Sequence, residues 1–384
     1  MNSPTFRPFS LAIGGLIALA VAMGVGRFIY TPILPFMFDD LGLTKSQAGL
    51  IASANYVGYF LGAILAAVKL PGSRRVWLLG SLTISGLSTL GIGLVSDTLS
   101  FSLLRLIGGA ASAFVLLFAS VLVLERLRNA GETRVAPLYF AGVGSGIAAS
   151  AVLVSLLAQA EVGWRGQWLT SGVISLLLVF IVAWLVPRRP EPTPDQAQGT
   201  SRRGLAPLVT SYFLFGFGYV ITATFLVAMV RSDHNIQALE PYIWIIVGIA
   251  AAPSVIIWNW VAARTGVVRA YAIACTVQAL GVATSVLWPS TPGVILAAIA
   301  LGGTIMGLTA LGLVAAAQMT SGDPRRVFAL MTAAFGLGQI IGPTFAGVLF
   351  DQTGSFYSSS LAASGALIVA ALLTFWSSGT RESA

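Results

Sequence analysis

Twelve apolar runs follow one another along this chain, each long enough to cross the roughly 30 Å hydrocarbon layer of a bilayer as a helix. They read as 9–38, 44–69, 74–96, 98–128, 132–160 and 166–187, then 205–231, 239–263, 268–288, 292–319, 325–350 and 356–378. Barrel strands would instead show segments of about 10 residues with alternating polarity. Only 9% of residues are charged and the mean hydropathy is +0.89, whereas soluble domains are about a quarter charged. A chain with so little polar surface cannot cover itself in water. The expected class is an all-α integral membrane protein with twelve transmembrane helices. The first run continues to Phe38 with no small-residue cleavage site, so no cleavable leader is expected. The single Cys275 excludes an internal disulfide.

The net charge of +8 could suggest an anionic partner. No basic tract is interleaved with aromatic residues, so nucleic acid is not expected. The basic residues instead sort by side. Arg7, Lys69, Arg74, Arg75, Arg126, Arg128, Arg134, Arg188, Arg189, Arg202, Arg203, Arg264, Arg269, Arg325, Arg326 and Arg381 fall on one side, and Lys45, Arg165 and Arg231 on the other. Positive charge accumulates in cytoplasmic loops, so both termini are expected in the cytoplasm of a bacterial cell, with the chain crossing its inner membrane many times.

"VPRRPEPTPDQAQGTSRRG" reads as a solvated linker between two halves. The expected division is an N-terminal six-helix half at 1–187, a cytoplasmic linker at 188–204 and a C-terminal six-helix half at 205–384. At an offset of 192, "RVAPLYFAGVGSGIAAS" from Arg134 aligns with "RVFALMTAAFGLGQIIG" from Arg326, matching Gly144 with Gly336 and Gly146 with Gly338. Two halves related by a parallel repeat are one transporter build.

Several stretches resemble motifs of the major facilitator superfamily. In "RLIGGAASAF", Arg105, Gly108 and Gly109 match its fourth-helix motif. Gly142 and Gly146 of "GVGSGIAAS" resemble the Gly-rich fifth helix without its proline, while "GLGQIIGPTFAG" keeps Gly338, Gly342 and Pro343. The loop after helix two keeps Gly62 and the basic pair Arg74 and Arg75, but Ala66 stands where the family has an aspartate, and Ala263 replaces the acid in the second half. A cytoplasmic gate of the family's usual acid-based kind is therefore not implied here. "GRFIYTPILP" followed by "SANYVGYFLGA" resembles the YbfB/YjiJ-like group of bacterial transporters. The resemblance implies a major facilitator fold, a transport role, a monomer, and gating roles for Arg105, the helix-five and helix-eleven glycines and Arg74–Arg75.

Two arginines, Arg27 and Arg105, lie inside apolar runs, and no Asp or Glu falls at mid-depth of any run. An arginine at the bilayer centre costs about 2.5–3.5 kcal/mol on insertion scales and marks function by default. Arg27 is eighteen residues past Phe9, roughly 27 Å along a helix, and eight before Pro35. It is expected to face a central cavity, its counter-charge supplied by cargo. Arg105 is expected near the outer end, able to snorkel. Tyr30, Asn55, Tyr56 and Tyr59 could add contacts beside Arg27. In the second half Tyr219, Trp244, Asn259, Gln318 and Gln339 are candidates, the amides because an amide in hydrocarbon must find a partner.

No metal-ligand spacing, nucleophile–base set or phosphate loop is present, so neither an enzyme nor a cofactor is expected. The expected function is a secondary transporter moving a small organic solute, an organic anion, by alternating access, with a coupling proton or counter-substrate left open. The alternative is proton-linked efflux of drugs or hydrophobic metabolites.

Overall fold

The computed structural model describes residues 8–66, 70–186, 205–319 and 324–382, so the 188–204 linker lies outside the described residues. Twelve spans appear where the hydropathy places them. They are α1 Pro8–Leu41, α2 Lys45–Ala66, α3 Arg74–Ile92, α4 Thr98–Asn129, α5 Ala136–Gln159, α6 Trp164–Leu185 and α7 Leu205–Ser232. A pair bent by 45°, Gln237–Ala251 and Ser254–Thr265, forms α8. Val267–Leu287 is α9, Thr291–Gln318 α10, Pro324–Thr353 α11 and Tyr357–Glu382 α12. The ends bearing Val186 and Leu205 are called the linker end, and the opposite ends the far end.

Two of these spans are broken, which the apolar runs did not disclose. In α1 an α-helix gives way to a π-helical stretch, Ala20–Val25, then to a turn, and a second helix starts at Tyr30. The amides of Gly26 and Phe28 reach back five residues, to the carbonyls of Val21 and Met23. Pro32 has no amide to give the Phe28 carbonyl, which takes the Thr31 amide instead at 3.3 Å. In α8 the bend falls at Ala252–Pro253, for the same reason.

Apolar helices gain little from leaving lipid for one another, so close approach of backbones has to hold the bundle together. A Cβ on Gly109 would overlap the Asn55 carbonyl oxygen, fixing α4 on α2; Gly302 meets the Val247 carbonyl in the same way, fixing α10 on α8. The offset of 192 recurs here to within one residue. It recurs again where Gly144 of α5 meets Ala252 of α8 and Gly336 of α11 meets Phe60 of α2. On the central pair, Thr31 Oγ1 donates to the Ala223 carbonyl at 2.7 Å, and Asp39 pairs with Arg231. Both couples are residues 192 apart in sequence, as expected for helices flanking a twofold axis.

The two sets of six helices meet most closely from the far end to mid-depth. The Asp351 carboxylate accepts from the amides of Lys45 and Ser46 at 3.1 and 3.0 Å, and Ser155 Oγ donates to the Pro241 carbonyl at 2.9 Å. Deeper, Ser53 Oγ donates to the Ile340 carbonyl at 2.7 Å. Gly142 and Gly146 do not lie on this seam: they press α5 against Leu16 and Ala20 of α1. Gly338 and Gly342 likewise press α11 against α7. The residues two positions along, Gly144 and Gly336, face the opposite six helices. Gly109→Val should therefore lower stability by about 1–3 kcal/mol through overpacking, while Gly80→Ala, where a Cβ meets nothing within 4 Å, should not. Thermal unfolding of the purified protein in detergent checks both.

Candidate functional site

The break in α1 puts Arg27 at mid-bundle with only 3% of its surface exposed. Its guanidinium lies over the rings of Tyr59 and Tyr56, at 4.2 and 4.7 Å from their centroids, and 5.6 Å from that of Phe28. Tyr56 and Tyr59 are three apart on α2, so both turn the same face to it. From the opposite six helices, Gln339 Oε1 on α11 accepts a hydrogen bond from Nη2 at 3.0 Å. Gln339 Nε2 then donates to the hydroxyl of Tyr219 on α7. Arg27 and Tyr219 are again 192 apart.

No carboxylate among the described residues joins this series of contacts. Among the described residues Arg27 makes no ion pair. The acids stand at helix ends: Asp39, Glu240 and Asp351 at the far end, Glu125 at the linker end. Arg27 Nε has no hydrogen-bond partner. Cation–π contacts and a neutral amide soften the burial of this charge without neutralising it.

Arg105 sits differently from its expected place at the membrane edge. It is 3% exposed, and it donates from Nη1 to the Gly26 carbonyl at 3.0 Å and from Nη2 to the Arg27 carbonyl at 2.9 Å. The break in α1 creates that need, since unbonded carbonyls inside a bilayer are costly and the planar guanidinium can serve two at once. Its Cζ lies 5.0 Å from the Tyr30 ring, whose hydroxyl donates to the Ala48 carbonyl. Asn55 is fully buried and donates to the Arg105 carbonyl at 2.9 Å, tying α2 to α4. Tyr30 and Asn55 thus support Arg105 rather than face Arg27.

A ladder of rings extends from Tyr219. It stacks on Phe335 at 5.7 Å and 8° between planes, Phe215 lies 5.2 Å from both, and Tyr212 lies 5.1 Å from Phe335. Phe215 and Phe335 escaped the sequence reading. Their signal is spacing, each four residues before a polar site residue, Tyr219 and Gln339. Toward the far end Trp244 lies 6.5 Å from Phe28, and it also lines a cavity of about 480 Å³ bounded by Pro32, Phe36, Ser155, Arg231 and Glu240. Phe28 and Trp244 therefore separate that cavity from Arg27.

Asn259 and Gln318 are exposed on the surface of the bundle, away from this cluster. Arg27 and Gln339 are buried, so neither of these exposed amides joins that pair. Arg74 pairs with Glu125 at 3.6 Å, and Arg75 donates to the Val186 and Ala183 carbonyls, capping α6 at the linker end.

A twofold-repeated bundle of twelve spans is the major facilitator fold, and a crystal structure of a mutant of the nucleoside transporter NupG superposes at TM-score 0.76, with 17% identity over 96% of this chain and 99% of that one. The chain belongs to the family described as "Uncharacterised MFS-type transporter YbfB", whose profile matches residues 19–375. Its relatives include a protein described as "Uncharacterized MFS-type transporter YceJ" from Bacillus subtilis, 24% identical over 57% of this chain and 58% of that protein. The gallate transporter of Pseudomonas putida is 28% identical over 40% of this chain and 34% of its own length. A protein of Agrobacterium vitis described as "Putative tartrate transporter" is 26% identical over 88% and 83%. The chain thus spans less than two thirds of the first two relatives.

Arg105→Ala should leave two buried carbonyls unpartnered and cost about 3 kcal/mol, the loss of bonds to a charged donor. Arg105→Lys should recover little of it, because an ammonium does not reproduce the planar fork. Melting temperature of the purified variants is the check.

Proposed function

We propose that this protein is a secondary transporter that moves a small organic anion across the cytoplasmic membrane by alternating access, with Arg27 holding the anionic group. The carrying observation is the buried guanidinium whose polar partner across the seam is a neutral glutamine. A buried charge with no counter-charge costs several kcal/mol, and a carboxylate docking against it removes that cost while gaining charge-assisted hydrogen bonds. Two relatives whose names mention gallate and tartrate, both carboxylates at neutral pH, agree with this reading.

The mechanism follows from which side holds each partner. Arg27, Tyr56 and Tyr59 belong to the first six helices, Gln339 and Tyr219 to the last six. An anion taking the place of Gln339 on Arg27 loosens one bond across the seam, so occupancy and the rocking of the two halves are coupled. Entry from the far end passes the cavity above Trp244 and Phe28; opening there requires the Asp39–Arg231 pair and the Asp351 bonds to part. The excess of basic residues at the linker end supports a cytoplasmic side for that end. A lipophilic cation would meet Arg27 with no acid beside it, which disfavours cationic drugs as cargo.

In proteoliposomes, Arg27→Ala should lower kcat/KM for anion uptake about 30-fold or more, corresponding to ~2 kcal/mol for truncating one member of a buried charge pair. Arg27→Lys should fall between Ala and wild type. Uptake by Arg27→Ala equal to wild type would contradict the role given to Arg27.

A further inference from the structure

We infer that the cargo is a monoanion with a flat, aromatic body, and that the site selects against dianions; this rests on the anion reading above. Two observations carry it, the count of available cationic donors and the arrangement of rings around them.

Two guanidiniums lie near mid-depth, but they are not equivalent. Arg105 spends both terminal nitrogens on the Gly26 and Arg27 carbonyls and stands over Tyr30. Those carbonyls end the first segment of α1, where the helix dipole is negative, so the Arg105 charge already faces its complement. Arg27 has an unpartnered Nε and a terminal nitrogen held by an exchangeable amide. One carboxylate therefore finds donors here and neutralises one charge. A second carboxylate on the same cargo would enter a region whose other buried polar groups are neutral, the hydroxyls of Tyr56, Tyr59, Tyr219 and Thr224 and the Gln339 amide, leaving a buried negative charge without a cationic donor.

The surroundings of Arg27 are rings. Tyr56 and Tyr59 cover the guanidinium from α2, and Phe28 and Trp244 close it toward the far end. On α7 and α11 the ladder of Tyr219, Phe335, Phe215 and Tyr212 leads away from the Gln339 position. Ring faces with few hydroxyl or amide partners suit a planar apolar body, which pairs with them by offset stacking. A polyhydroxylated body would lose hydrogen bonds to water and recover few.

The test is competition against radiolabelled benzoate uptake by wild-type protein in proteoliposomes at neutral pH. The competitors are benzoate, cyclohexanecarboxylate, benzamide, terephthalate and tartrate. Benzoate should compete best, and terephthalate and tartrate at least about tenfold more weakly, as expected when a buried charge is left unpaired. Benzamide, the neutral isostere, should not compete. Cyclohexanecarboxylate, with the charge but no flat ring, should be several-fold weaker, and that preference should shrink in Phe335→Leu; the wild-type ranking stands without the variant. Terephthalate or tartrate equal to benzoate overturns the monoanion inference and leaves the anion reading in place. Cyclohexanecarboxylate equal to benzoate overturns the aromatic part. Absence of benzoate uptake overturns the inference. If, in addition, labelled tartrate is taken up only with Arg27 intact, the anion reading survives; if no anion is taken up, that reading falls with it.

Discussion

Everything in this molecule turns on the interruption of α1 at mid-depth and on how Arg105 satisfies it. A bilayer interior tolerates a helix break only where the freed carbonyls find donors within the protein. The Arg105 guanidinium supplies two, at 3.0 and 2.9 Å, and its backbone is tied in turn to Asn55 of α2. That arrangement fixes the turn Gly26–Ile29 and, with it, the depth and direction of Arg27. One arginine is thus structural so that its neighbour can remain uncompensated.

The uncompensated arginine sits on the seam between the two sets of helices. Gln339 and Tyr219 approach it across that seam, from α11 and α7, and the glycines Gly144 and Gly336 let the outer pairs of helices cross closely on either side. A group held jointly by both halves is one that relative motion must release or regrip. Under the proposed function, the same bond that positions Gln339 in the absence of cargo gives way when cargo arrives. The ion pair Asp39–Arg231 and the Asp351 bonds lie further out along the same seam, so under the proposed function far-end opening and release of the site are coupled.

The helix positions were legible because hydrophobic length alone dictates them; all twelve spans fall within a few residues of the apolar runs. Arg27, Tyr56, Tyr59, Tyr219 and Gln339 stood out as polar or amphipathic residues in hydrocarbon, and the structure brings these five together. What was hidden is what depends on helix face and on distant partners. Asn259 and Gln318 carry the same chemistry as Gln339 but are exposed where Gln339 is buried, and near-uniform apolarity around each helix conceals that difference. The carbonyls that hold Arg105 exist only because α1 breaks, and Gly24, Gly26 and Pro32 allow a break without stating where it falls. Likewise Gly142 and Gly144 look interchangeable in sequence although one packs within its half and the other across the seam.

The most direct test of the central claim is a structure determined with a transported anion bound. The account predicts a carboxylate oxygen at about 3 Å from the Arg27 guanidinium, with the Gln339 amide displaced from it. An anion bound elsewhere, with the Arg27–Gln339 bond intact, would contradict it.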